Sequence, residues 1–173
     1  MQDDMLRMVL LCCDDTIPVA SQLVFTLKTV CGLTVGEIAA RLFTTEANVY
    51  KRLTRARNSL RTSSTIQNLT PTQCAARIPA TQQVFYLLFT EGYLSVHAET
   101  ALRRDLCAEA LRLTQMLAEH PLGQTPSTYA LLALMHLHIA RMDARDDGRG
   151  GLLLLEEQDR SRWDQQHTGQ GLA

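Results

Sequence analysis

The residues best suited to chemistry are basic and polar side chains on one side of a helical segment at 45–61. Apolar residues recur there at helical intervals, which predicts a single buried stripe; they are Val49, Leu53, Ala56 and Leu60. The opposite side is small, polar or cationic, with Ala47, Lys51, Thr54, Arg55 and Asn58. Lysine and arginine can contact phosphates or guanine edges, and threonine can contact phosphate or thymine. A helix with these two sides is suited to the major groove of DNA.

The charge of the chain is concentrated in this same region. The 173 residues have a net charge of −1, yet residues 41–61 hold six basic residues against Glu46 alone. The segments on either side, 1–40 and 62–173, are both net acidic. A compact basic block indicates local contact with a polyanion, whereas a chain that is basic throughout would indicate non-specific coating. A solvated basic helix is the alternative interpretation.

Other groups that could do chemistry lack the partners that a reactive site needs. His136 and His138 are two residues apart, about 200° around a helix, so they cannot share a metal ion. The acidic residues near the C-terminus have no nucleophile beside them and are expected in a solvated turn; they are Glu156, Glu157, Asp159 and Asp164. The sequence has no glycine-rich phosphate loop and no nucleophile elbow. We therefore expect no enzyme activity, no cofactor and no bound metal.

Cysteine usage and hydropathy indicate the compartment. The five cysteines form no C-x-x-C pair, which predicts reduced, partly buried thiols. The longest strongly apolar stretch, residues 129–140, is too short to cross a bilayer of about 30 Å. The N-terminus has two acids before its first arginine and no cleavage site for secretion. These features predict a cytoplasmic protein without a membrane span.

The elements that must position the basic residues are helices separated by short breaks, which predicts an all-α fold. Thr34 is followed three residues later by Glu37, the spacing of a capping box. Thr44 or Thr45 can cap the next helix. The predicted order is a helix at 34–42, a turn at 43–45 and a basic helix at 45–61. That order has the spacing of a helix-turn-helix.

The composition changes after residue 62. Polar residues with Pro71 predict a linker, and three helices follow. They are expected from Pro79 to about Gly92, from about Thr100 to Glu119, and from about Thr125 to Ala144. The last is apolar nearly all round and is expected to be central to the core. The run 152–155 fits a strand or a helix. The predicted domains are a helix-turn-helix unit at 1–62, a linker at 63–72, a helical extension at 73–166 and a loose tail at 167–173.

Two short patterns in the helix-turn-helix segment resemble a known family. They are Glu-Ile-Ala followed by Leu within 37–42, and Val-x-x-Arg-x-x-Arg-Ala-Arg at 49–57. Residues 33–61 resemble region four, the promoter-binding domain of bacterial sigma factors, most closely in the extracytoplasmic-function group. The resemblance implies promoter recognition in transcription initiation, with DNA-facing residues Asn48, Tyr50, Lys51, Arg52, Thr54 and Arg55. It further implies that the recognition helix binds the upstream promoter element and that another apolar surface binds the β-subunit flap of RNA polymerase.

Helical geometry and the resemblance agree on the centre of this face. Lys51, Thr54 and Arg55 lie opposite the buried stripe, whereas Tyr50 and Arg52 lie at its flanks. Phosphate contact is easier than base reading at a flank. Thr45 stands where the family often has serine, and Ala47 and Asn48 replace a small residue followed by threonine. These departures affect the promoter sequence that would be read.

The resemblance continues beyond the linker. Segments 89–93, 103–113, 130–141 and 154–164 are similar to a tetratricopeptide-like extension in one subgroup of these sigma factors. This extension is expected to brace the DNA-binding unit or to bind a regulatory protein. The string at 158–164, QDRSRWD, is expected to dock within the extension.

The family's region two, which binds the polymerase clamp, has no counterpart in this sequence. The chain is therefore expected to be a middle piece that does not open promoters alone. The alternative hypothesis is a non-initiating interaction protein or sigma remnant that binds polymerase or a partner through its helical surfaces.

Overall fold

The computed structural model describes residues 4–62, 69–96, 101–148 and 151–173. Within these ranges the fold is all-α, as predicted, and an isolated bridge joins Asp146 to Leu152. The α-helices are α1 (Asp4–Cys12), α2 (Val19–Thr29), α3 (Val35–Arg41), α4 (Glu46–Thr62), α5 (Pro71–Tyr93), α6 (Arg104–Glu119), α7 (Pro126–Ala140), α8 (Met142–Arg145) and α9 (Gln165–Leu172). In the described part of the chain, no helix is both long and apolar enough to span a membrane.

The helix-turn-helix forms where its local signals predict it. Thr34 caps α3, and Glu37 returns its carboxylate to the Thr34 backbone N–H, so the capping box is confirmed. At the next start, the Asn48 backbone N–H donates to Thr45 Oγ1 at 3.3 Å. Helix α4 then packs against α2 and α3. These caps satisfy backbone N–H groups that a helix leaves without intrahelical partners.

One hydrophobic core joins the first four helices to the rest of the described chain. It includes Leu27 of α2 and Ile38 of α3 together with Phe85 of α5 and Leu113 of α6. Helix α5 is central because it packs against α1, α2, α3, α6 and α7. The DNA-binding helix α4 is therefore supported by a scaffold that includes the extension.

Helix α5 begins earlier than the sequence predicts. Pro79 was expected to open this helix, but it lies inside α5, which starts at Pro71. Thr70 caps this start, since its side chain accepts from the Gln73 backbone N–H. The Gln73 side chain in turn accepts from the Thr70 backbone N–H. Proline lacks an N–H and suits a first helical turn, whereas the second proline, Pro79, is exposed between the buried Ile78 and Ala80. Most of the predicted linker, residues 63–68, lies outside the described residues.

Helix α7 is not surrounded by the core, so the prediction of a central helix is wrong. Met135 and Ala140 are buried, whereas Tyr129, Leu134 and Leu137 are exposed. The helix packs against α5, α6, α8 and α9, and these neighbours cover only part of its circumference. It also ends at Ala140 rather than Ala144, because the chain turns at Arg141 into α8. The apolar composition of α7 therefore predicted burial for a side of the helix that is exposed.

The C-terminal residues form helix α9 in place of the loose tail predicted for 167–173. Asp164 caps it by accepting from the His167 N–H at 2.9 Å. The helix packs against α7, where His136 Nδ1 and His167 Nδ1 are 2.8 Å apart. A cap and a packed side therefore order a segment that its glycines and polar residues alone would leave loose.

The string at 158–164 makes intramolecular contacts, as predicted. Gln158 is buried, accepts from Arg141 Nε at 3.2 Å and donates to the Leu153 carbonyl at 3.0 Å. The Asp164 N–H donates to the Ala140 carbonyl at 2.8 Å. These bonds connect the turn before α9 to the end of α7. Before this string, Leu154 and Leu155 are exposed, and residues 153–155 belong to neither a strand nor an α-helix.

Candidate nucleic-acid interface

Helix α4 has one buried side and one open side. Val49, Leu53 and Ala56 are buried against the domain, and Leu60 is half-buried. This is the stripe that the spacing predicts. Because the stripe fixes the rotation of the helix, the polar side must face solvent. The open side is therefore presented by packing and not by loop conformation.

The structure places all six predicted DNA-facing residues on α4. Five are exposed and Arg52 is half-buried, as expected for a flank position; the exposed five are Asn48, Tyr50, Lys51, Thr54 and Arg55. At about 1.5 Å rise per residue, the set extends over about 10 Å of helix. That length fits a few adjacent base pairs of a major groove. Contact of these residues with DNA stays a prediction.

Two polar members of the set already have hydrogen bonds. Asn48 Nδ2 donates to Thr44 Oγ1 at 3.3 Å, so the amide is oriented by the turn before α4. Thr54 Oγ1 donates to the Tyr50 carbonyl at 3.0 Å. The Asn48 amide is thus held at the start of the helix. The Thr54 hydroxyl oxygen can still accept a hydrogen bond.

The cations of α4 are available for an external anion. Within the residues that the structure describes, Lys51, Arg52 and Arg55 form no ion pair. Arg41, which the sequence counts in the same basic block, is different. Its Nε lies 2.8 Å from Glu91 Oε2, and its Nη2 donates to the Leu94 carbonyl at 2.7 Å. The positive surface is therefore α4 itself, and Arg41 belongs to the scaffold.

Ion pairs connect helix α3 to the extension. Glu37 is buried and accepts from Arg103 while it also completes the capping box. Arg41, one turn later, pairs with the fully buried Glu91 of α5. Partial burial strengthens each attraction relative to a surface pair. Helix α3 is thus tied by side-chain contacts both to α5 and to Arg103, the residue before α6.

A groove beside α4 was missed by the sequence reasoning. One cavity of about 420 Å³ is lined by the second half of α4 and by Phe25 of α2. A neighbouring apolar cavity of about 200 Å³ shares Phe25 and Leu60 with it. The wider lining comprises Met8, Leu11, Cys12, Asp14, Thr54, Arg57, Asn58, Arg61 and Arg77. No local sequence signal marks this groove, because its lining comes from separate helices.

In comparisons with known proteins, two families match separate parts of the chain. Residues 7–60 match the family described as Sigma-70, region 4. Residues 77–173 match a family of unknown function, DUF6596. An uncharacterized protein of Rhizobium meliloti (strain 1021) is 34% identical over 174 residues, covering 99% of this chain and 41% of that protein. The chain therefore spans about two fifths of the length of that relative. No solved structure matches the chain.

Proposed function

We propose, for a chain that belongs to the family of unknown function DUF6596 and carries a Sigma-70 region 4 domain, that its helix α4 recognises the upstream element of a promoter. The region 4 domain gives the chain a sigma-factor-like DNA-binding role in transcription and a general relation to RNA polymerase. It points to a transcription factor rather than an enzyme. The proposal refines this role to promoter reading within an extracytoplasmic-function sigma factor.

The observation that carries the proposal is the open side of α4. Its cations have no internal partner among the described residues, and the opposite side is buried against α2 and α3. Asn48, Lys51 and Arg55 take the base-reading or central phosphate positions. Tyr50 and Arg52 contact phosphates at the edges of the groove. Phosphate contacts fix the register of the helix, and base contacts select the sequence.

The groove between α1, α2 and the second half of α4 is the proposed site for the β-subunit flap of RNA polymerase. Phe25 and Leu60 supply its apolar floor. Arg57 and Arg61 line one end, where they can pair with acids on a partner. Its position beside the DNA-facing side would allow polymerase and promoter to bind one domain at the same time.

The extension is proposed to be tetratricopeptide-like and to brace the DNA-binding unit. Its ion pairs to α3 and its share of the common core support this role. The exposed apolar side of α7 is the proposed surface for a regulatory protein, with Tyr129, Leu134 and Leu137 as its contacts. Exposed apolar patches commonly mark interaction surfaces.

The test is DNA selection followed by variant binding. The full chain would be used to enrich duplexes from a randomised pool, and fluorescence anisotropy would measure the Kd of the enriched duplex at several salt concentrations. Arg55→Ala should weaken binding by about 1–3 kcal/mol if it reads a base. If it contacts phosphate, the slope of log K against log salt should fall by about 1.

Arg104→Ala is the matched control, because Arg104 is an exposed arginine of α6 paired with Asp143. It should leave both the affinity and the salt slope unchanged. If no sequence is enriched, or if Arg55→Ala binds the enriched duplex like the wild type, promoter recognition by α4 is wrong.

A further inference from the structure

Phe43, in the turn between α3 and α4, stands in a backbone conformation that disfavours its side chain. Its φ is +47°, the left-handed region in which glycine is usual and bulky residues are rare. The Thr44 N–H donates to the Ala39 carbonyl, and the Phe43 N–H donates to the Ala40 carbonyl. This pair of bonds is the Schellman ending of a helix, whose left-handed position is most often glycine. Phenylalanine therefore carries a conformational cost here that glycine would remove.

The folded chain gains no packing in return for this cost. The Phe43 side chain is 98% exposed, the highest value among the large hydrophobic residues exposed in the described chain. Exposure of an aromatic ring to water is unfavourable, and none of the residues that the structure describes covers this ring. Strained residues at such positions are commonly associated with function. The ring thus has the properties of a contact that is completed by another molecule.

The position of the turn indicates which molecule that is. In a helix-turn-helix, the N-terminal residues of the second helix enter the major groove. Phe43 is three residues before Glu46, the first residue of α4, so its Cα lies within about 10 Å of that end. The next residue, Thr44, accepts from the Asn48 amide at the start of the proposed DNA face. The turn that carries the ring therefore lies next to the start of the proposed DNA face.

We propose that Phe43 contacts promoter DNA at the edge of the major groove, against deoxyribose or a thymine methyl group. This inference rests on the proposed function of α4. Apolar side chains contact thymine methyl groups in this way, and such contacts add affinity without neutralising phosphate. The unpaired cations of α4 bring the anionic duplex to this side of the domain, where the ring then loses contact with water. Against a thymine methyl group, Phe43 would be a sequence-sensitive contact outside the recognition helix, and against deoxyribose it would add affinity alone.

The test uses variants for which stability and binding change in opposite directions. Phe43→Gly suits a positive φ, so its thermal midpoint should equal or exceed that of the wild type. Its affinity for the enriched duplex should nevertheless fall. Burying about 40 Å² of ring corresponds to about fivefold in Kd. The salt slope should not change, because an apolar contact releases no counterions. By contrast, Arg55→Ala should lower the salt slope if Arg55 contacts a phosphate.

Two more variants separate the ring from the stiffness of the turn. Phe43→Asn tolerates the left-handed conformation but has no ring, and it should lose affinity as Phe43→Gly does. Phe43→Tyr keeps the ring and should bind nearly as the wild type. Leu154→Gly removes another exposed apolar side chain, on the extension, and should leave binding unchanged.

Several outcomes would overturn the inference. Weakening by Phe43→Gly but not by Phe43→Asn would assign the effect to flexibility of the turn. Normal DNA affinity with weaker binding to core RNA polymerase, or with loss of self-association in gel filtration, would assign the ring to a protein partner. Binding that depends on Arg55 but not on Phe43 would refute only this inference. Absence of any enriched duplex would refute the proposed function and this inference together.

Discussion

The buried Arg77 of α5 provides the sharpest prediction about the stability of this fold. Its side chain is 1% exposed, and it donates to the Leu10 carbonyl at 3.1 Å and to Asp14 Oδ2 at 3.0 Å. Both acceptors belong to the N-terminal end of the chain. Arg77 therefore satisfies polar groups of α1 and the following turn from within the extension. We expect Arg77→Ala to lower the free energy of unfolding of the whole chain.

The magnitude follows from what the substitution leaves behind. Asp14 is 2% exposed and would keep its bonds from Thr16 but lose its cation. The Leu10 carbonyl would lose this donor. Removing one partner of a buried ion pair costs about 3–5 kcal/mol. For a chain of this length, such a loss lowers Tm by on the order of 10 °C.

The dependence on pH gives an independent check of the same pair. Burial alone would raise the pKa of Asp14, but bonds from Thr16 and the charge of Arg77 together lower it below its ordinary value of 3.8. A carboxyl with a lowered folded pKa stabilises the fold above the unfolded pKa and loses that contribution as pH falls through the folded pKa. The difference between the wild type and Arg77→Ala should therefore shrink below about pH 3.8.

Urea unfolding followed by circular dichroism would measure these values at pH 7 and at lower pH. Arg104→Ala is the comparison, because its pair with Asp143 is largely exposed and should contribute only about 0–1 kcal/mol. The reasoning is refuted if Arg77→Ala destabilises the chain no more than Arg104→Ala does. It is also refuted if only part of the helical signal unfolds in the variant.

Three further predictions concern other contacts in the fold. Burial and, to a smaller extent, the charge of His167 lower the pKa of His136. Stability should therefore fall as pH drops below 6.5, the ordinary pKa of histidine. In thermal melts, His136→Gln should make the midpoint depend less on pH. Cys31 and Cys74 are partly exposed, whereas Cys12, Cys13 and Cys107 are buried. Burial raises the pKa of Cys31 to about 12, so Ellman's reagent at pH 8 should modify Cys74 first and the buried thiols only on unfolding; equal rates would contradict this. Thr34→Ala should cost about 0.5–2 kcal/mol through loss of the α3 cap, measured by urea unfolding, and an unchanged midpoint would show that the cap is dispensable.

Local features were predictable because their signals lie within a few residues. Thr34 and Glu37 encode the start of α3 within one helical turn, and the structure contains that capping box. Val49 and Leu53 have the spacing of a buried stripe, which fixes the side of α4 that faces solvent. Both features depend only on nearby residues, because capping hydrogen bonds and helical periodicity act within a few turns.

Features set by distant segments could not be read in this way. The exposed side of α7 depends on which helices cover it, and an apolar sequence does not say that. Arg41 lies in the basic block, yet its partner Glu91 is 50 residues away in the chain. Phe43 gives no local sign of a positive φ, because glycine is the residue that usually marks one.

The attachment of α4 mainly to α2 and α3 has a consequence for how binding preference can diversify. Substitutions on its open side leave the common core unchanged, so new side chains can be sampled there at little risk to folding. A library randomised at positions 48, 51 and 55 should keep normal cellular abundance while its members differ in the duplexes they select. By contrast, the same diversity on α3 would break its bonds to α5 and should reduce abundance. The protein thus separates the surface on which specificity can evolve from the elements that keep it folded.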